Sequence, residues 1–203
     1  MKLTLPDRKF GGYIFDCDGT LADTMPLHFR AWAHVVKEQG GEFPEELFYR
    51  WGGRPSARIV LDLNIEFGLS LDVHETVERK EAYFLERIHE VRAINPVVDI
   101  ARQLYGTAPL AVTSGGFRKY VELTLEAIDA KSLFGVIVCA EDYTNGKPHP
   151  EPFLETARRM GISPADCLVF EDSPAGVESA KRAGMECVFV PSAQVVSPRM
   201  TVS

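Results

Sequence analysis

The 203-residue sequence has few of the features that mark specialised protein classes. It has only four cysteines, Cys17, Cys139, Cys167 and Cys187, far apart and without metal-type pairing. That spacing suits neither a disulfide framework nor a zinc site, and it fits small buried hydrophobes in a reducing cytosol. There is no run of Lys or Arg, and the net charge is −7, so nucleic acid and anionic membrane are poor candidates for main partners. No apolar stretch is long enough to span a bilayer. The start, Met1 to Phe10, carries Lys2, Asp7, Arg8 and Lys9 and lacks the apolar core of a secretory signal. The expected location is therefore cytoplasmic. Internal repeats and low-complexity linkers are also lacking, and only the last stretch, Val196–Ser203, reads as frayed.

What is present is a globular composition, 45% hydrophobic, in a chain long enough to bury a core without an external staple. Its length allows one domain, or one domain carrying an insert. Short apolar runs recur at Gly12–Phe15, Leu110–Val112, Val136–Cys139, Cys167–Phe170 and Cys187–Val190. Each is too short for a helix and lacks polar alternation, as expected of strands covered on both faces. Between the later runs, Gly116–Ala130, Pro150–Met160 and Pro174–Ala183 read as helices. Pro150 and Pro174 suit a first turn, and Gly161 and Gly184 suit a stop. Strand and helix in alternation imply an α/β fold, a doubly wound parallel sheet with right-handed crossovers. From about Pro26 to Arg92 only helical patterning is found, at Pro26–Gln39, Ser56–Phe67 and Val73–Ile88. The expectation is a core of residues 1–22 and 93–203 with an inserted all-helical subdomain, 23–92.

Open parallel sheets bind ligands beyond the carboxyl ends of their strands. Asp16-Cys17-Asp18-Gly19-Thr20 follows the first run, and Thr113-Ser114-Gly115-Gly116 the second. Lys147 lies beyond the third, inside Asn145-Gly146-Lys147-Pro148, and Glu171-Asp172-Ser173 follows the fourth. Four carboxylates crowded into one site repel one another unless a cation joins them. An oxygen-lined site points to Mg²⁺. Asp16 and Asp172 would be side-chain ligands and Asp18 would offer its carbonyl. Glu171 would ligate the metal or hold a metal-bound water. The Asp-x-Asp-Gly turn is not a calcium loop, because Gly19 falls at position four rather than six.

These segments, in this order, resemble the four motifs of the haloacid dehalogenase superfamily. Phe15-Asp16-Cys17-Asp18-Gly19-Thr20-Leu21 resembles motif one, Thr113-Ser114 motif two, Lys147-Pro148 motif three and Glu171-Asp172 motif four. The likeness covers nearly the whole chain. The helical insert is similar to the cap of the branch that holds beta-phosphoglucomutase and sugar-phosphate phosphatases. Asp18 argues against a dehalogenase, since that branch lacks the second Asp.

The resemblance implies a Rossmann-like core and a small-molecule phosphate ester as substrate. It implies that Asp16 attacks phosphorus to give an aspartyl-phosphate and that Asp18 is the acid and base. Thr113 would donate to the phosphoryl oxygens, helped by the amides of Ser114 and Gly115, and Lys147 would pair with the phosphoryl group and Asp16. In the insert, His28 would steady Asp18, Lys80 would reach an outer phosphate, and Arg54 would face substrate. Hydrolysis of a small phosphorylated metabolite leads. Pro55 and Gly116 stand where the mutase pattern carries cations, which weakens the mutase alternative. A non-enzymatic phosphosugar-binding protein is a third reading.

Overall fold

A computed structural model describes residues 3–52 and 54–191; Gly53 and the Val196–Ser203 stretch expected to fray lie outside them. Strands β1 (Gly12–Phe15), β2 (Leu110–Thr113), β3 (Val136–Val138), β4 (Cys167–Glu171) and β5 (Glu186–Phe189) form one parallel sheet in the order β3-β2-β1-β4-β5. β1 is central, and from it the chain winds first toward β3 and later toward β5. The strand order therefore reverses beside β1, where an open α/β sheet leaves a crevice. Register fixes what meets there. Phe15 lies opposite Val112 on one side and Phe170 on the other. The next residue of each strand, Asp16, Thr113 or Glu171, thus emerges at the same level.

Side chains of a strand alternate between faces, and both faces of this sheet are covered. Tyr13, Phe15, Val112 and Phe170 join one cluster with Val97, Val98, Val121 and Leu125. Those last four come from α5 (Asn95–Leu104) and α6 (Arg118–Ala127). Ile14, Ala111 and Val169 join the other with Phe153, Ala157 and Ala180 of α7 (Glu151–Met160) and α8 (Pro174–Arg182). The Phe15 and Phe170 rings stack at 4.6 Å, and this holds β1 against β4 directly beneath the crevice.

Between β1 and α5 the described residues form helices only: α1 (Met25–Glu38), α2 (Glu45–Arg50), α3 (Ser56–Phe67), α4 (Val73–Glu86) and a short 3₁₀ turn at Ile88–Glu90. These helices bury a cluster of their own, built from Trp32, Val35, Val36, Phe48, Val60 and Leu63. Leu27, Ala31 and Phe84 instead join the main cluster, so the roots of α1 and α4 are seated on the sheet's side. The chain leaves and returns through a narrow neck. Ala22 and Ala93 form an antiparallel bridge, the Asp23 amide donates to the Arg92 carbonyl at 2.9 Å, and the Ile94 amide donates to the Leu21 carbonyl at 2.8 Å. α2 and α5 were not expected from the sequence. β2 also runs one residue further than expected, to Thr113.

Candidate active site

Asp16 ends β1 and is 6% exposed; its amide donates to the Phe170 carbonyl at 3.0 Å. Lys147 Nζ donates to Asp16 Oδ1 at 2.6 Å, to Glu171 Oε1 at 2.6 Å and to the Thr113 carbonyl at 3.3 Å. One ammonium therefore ties three strand ends together. Asp16, Glu171 and Asp172 each offer an oxygen within 4.8 Å of the others, a spacing at which one cation can be shared.

The electrostatics show an excess of negative charge. Burial pushes the Asp16 carboxyl well above the ordinary range; Lys147 opposes this, and Glu171, Asp172 and Asp18 add to it. Burial, then the Glu171 charge, push Asp172 up to about 7. Lys147 is raised in spite of burial, by the Asp16 and Glu171 charges, so its ammonium stays charged. One ammonium cannot balance three clustered carboxylates, two of them buried and Asp172 half-buried. A hard divalent cation would supply the missing charge, and the all-oxygen donor set fits it.

Asp18 lies apart from this cluster. Its Oδ1 accepts from Thr24 Oγ1 at 2.7 Å and lies 3.5 Å from His28 Nε2, and its Oδ2 is 3.4 Å from Ser114 Oγ. Its carboxylate is thus not among the clustered metal donors, consistent with only its carbonyl being expected there. Burial works to raise Asp18, but the His28 hydrogen bond and charge and the Thr24 bond outweigh it and hold the carboxyl at about 2. Burial, then the Lys80 charge, lower the His28 imidazole, although Asp18 pulls the other way. His28 Nδ1 is buried without a partner among the described residues. That fits a neutral ring with its proton on Nε2, because a charged ring would leave a buried N–H unpaired. The ring stacks flat on Phe84, centroids 4.3 Å apart.

Three of the expected site residues have partners of their own. The Thr113 hydroxyl does not face Asp16: it meets Thr156 Oγ1 at 2.6 Å, and Thr156 donates its single proton to the Pro152 carbonyl at 2.8 Å. Alternation explains this, since Thr113 shares its face with Ala111, toward α7. Ser114, one residue on, turns its hydroxyl toward Asp18 and accepts from the Gly116 amide at 3.0 Å. Gly115 forms the exposed turn of this loop, where an added side chain would meet nothing. Lys80 does not stand out toward solvent. It is 3% exposed, bonded to Glu81 at 2.8 Å, and set 5.5 Å from the Phe84 ring and 5.8 Å from the Trp32 ring. Arg54 lies over Trp51 and is ion-paired within the insert to Asp62, which it shares with Arg58.

Several supporting residues escaped the sequence reading. Ser173 gives its amide and hydroxyl to Glu171 Oε2, at 2.7 and 2.9 Å, and caps α8 by accepting from the Gly176 amide. A methyl group at Gly176 would overlap the Glu171 carboxylate. One at Gly19, whose φ is +87°, would overlap that of Asp172. Thr20 Oγ1 donates to Asp172 at 3.3 Å, and Tyr143 OH donates to the Ser114 carbonyl at 3.0 Å. Their only sequence signals were proximity to a motif and, for Ser173, a helix-capping position.

A profile described as haloacid dehalogenase-like hydrolase matches residues 13–190. Fructose-1-phosphate phosphatase YqaB of Escherichia coli is 34% identical over 186 residues, which is 90% of this chain and 97% of that protein. A phosphorylated carbohydrates phosphatase of Thermotoga maritima is 34% identical over 180 residues, 87% of this chain and 82% of its own. Among solved structures, beta-phosphoglucomutase from Clostridium difficile superposes with a TM-score of 0.76 at 25% identity, covering 88% of this chain and 83% of that one.

Proposed function

The chain belongs to the haloacid dehalogenase-like hydrolases, and from that premise we propose that this phosphoric monoester hydrolase acts on a small sugar or sugar-alcohol phosphate through an aspartyl-phosphate on Asp16. The observation that carries the reading is the Lys147 ammonium, 2.6 Å from both Asp16 and Glu171, at the level where three strands end. It holds one Asp16 oxygen and leaves the other for in-line attack on phosphorus. Asp16, Asp172, the Asp18 carbonyl and Glu171, directly or through water, would hold Mg²⁺. When bound, that ion supplies positive charge to the carboxylates and the phosphoryl oxygens. Ser114 and the amides of its loop, Gly115 included, take the hydroxyl role first read for Thr113.

Asp18 is the acid and base. Its carboxylate rests ionised beside Thr24 and the neutral His28, ready to take a proton from the attacking water in the second step. The negative charge of an arriving ester raises its pKa, so it can bring a proton to the leaving oxygen in the first. His28 comes from the helical insert and Asp18 from the core loop. Residues 23–92 are thus proposed to act as a cap whose seating on residues 1–22 and 93–203 completes the acid and base and excludes bulk water.

The sugar-phosphate class is supported by the activities of the two relatives above, each matched over more than four-fifths of its own length. A mutase must grip two phosphates in alternation. The two insert cations available for a second grip, Lys80 and Arg54, are paired with Glu81 and Asp62, which weighs against the mutase and for water as acceptor. The test is phosphate release from a panel of phosphate esters with Mg²⁺, alongside Asp16→Asn. Release by the wild type, and its loss in a variant that keeps its melting temperature, is expected. An Asp16→Asn protein that still turns over would remove Asp16 as nucleophile.

A further inference from the structure

Resting on the hydrolase reading above, we propose that Glu81 sets the substrate class: esters whose alcohol is uncharged and hydroxylated are accepted, and those whose alcohol carries a second anion are turned away. Asp18 marks the leaving-group side of the site, and a continuous set of contacts leads from it to Glu81. Asp18 lies 3.5 Å from His28, His28 stacks on Phe84 at 4.3 Å, and the Lys80 ammonium sits 5.5 Å from that ring and 2.8 Å from Glu81. The Glu81 side chain is 13% exposed and that of Lys80 4%, so neither is an ordinary solvated charge. The Glu81 charge is felt at His28 of α1 and at Tyr120 of α6, the core helix that follows the Ser114 loop.

A carboxylate in that position does two things. It cancels the Lys80 charge, so the pair offers no net attraction to a second phosphate or carboxylate on the substrate. Sugar hydroxyls meet the opposite situation, since a carboxylate is a strong acceptor for O–H donors. Discrimination against a second anion thus arises from one residue of the insert, without any contact to the transferred phosphoryl group.

The experiment compares kcat/KM for a hexose monophosphate and the corresponding hexose bisphosphate, with Mg²⁺, in the full-length wild type, Glu81→Gln and Glu81→Asp. The wild type is expected to favour the monophosphate. Glu81→Gln leaves the Lys80 charge uncompensated and should shift the ratio toward the bisphosphate by about tenfold or more, the scale of one added charge attraction in a partly screened site. Glu81→Asp should keep the wild-type preference. An unchanged ratio in Glu81→Gln, or a wild type that prefers the bisphosphate, overturns the proposal. If Glu81→Gln does not fold because Lys80 is left unpaired, Lys80→Met leaves the Glu81 charge uncompensated and should move the ratio further toward the monophosphate; an unchanged ratio there overturns the proposal equally. A wild type that releases phosphate from no ester would instead defeat the hydrolase reading itself.

Discussion

At Thr113 the hydroxyl is spent on Thr156, whose own proton goes to the Pro152 carbonyl, while the Ser114 hydroxyl points at Asp18. Thr113→Val keeps the shape and removes one donor. It should cost about 0.5–1.5 kcal/mol of stability in denaturant titration and leave kcat near the wild-type value. Ser114→Ala should leave stability alone and lower kcat by about 10²-fold, the usual scale for losing a donor to a developing oxyanion. The reverse pattern, turnover lost at Thr113 and kept at Ser114, would restore the assignment read from sequence. This choice was not visible in the sequence, because two adjacent hydroxyls match the motif equally and only the strand's end point decides which one turns to the site. Asp16, Lys147, Glu171 and Asp172 were legible because each follows an apolar run. Thr24, Ser173 and Glu81 were not, because their importance comes from what packs against them.

The elements were legible in proportion to their length and regularity. All five strands were recognisable as apolar runs, with ends shifted by a residue or so. α2 has only six residues, too few for a period to show. α5 did carry a pattern, with Val97, Val98 and Ala101 buried, but it lies where the helical insert rejoins the core and was not assigned as an element. At the start of α8 the consequence is functional. Gly176 stands where any side chain would overlap Glu171, the residue that shares Lys147 with Asp16. Gly176→Ala should therefore displace Glu171 and raise the Mg²⁺ concentration needed for half-maximal rate. The maximal rate should fall by on the order of 10–10²-fold, as expected when a catalytic group shifts by about 1 Å. A Mg²⁺ titration of turnover reads this; an unaltered titration in a normally folded variant would mean that Glu171 does not position the site.

Across the whole molecule, the buried carboxylates couple folding to pH and to metal. Asp172 is raised from its ordinary 3.8 to about 7, and Asp16 moves in the same direction. For a carboxyl raised in the folded state, the protonated form favours folding. That contribution is complete below about pH 4 and is lost as pH rises through about 7. Asp18, lowered to about 2, works in the opposite sense only between about pH 4 and 2. Chelator-treated protein should accordingly melt at lower temperature at pH 7.5 than at pH 5.5, and Mg²⁺ should raise the pH 7.5 value most. Equal melting temperatures at both pH values without metal would show that the cluster carries no excess charge.

The neck at Ala22 and Ala93 has one more implication. Because the two crossings lie side by side and hydrogen-bond to each other, the points where the chain departs from and rejoins the sheet are neighbours in space. The outer part of the α1–α4 unit could be lengthened or exchanged without breaking the order of the strands. Preference for one alcohol over another, carried by residues such as Glu81, can then drift over generations while the phosphoryl chemistry at the strand ends stays fixed.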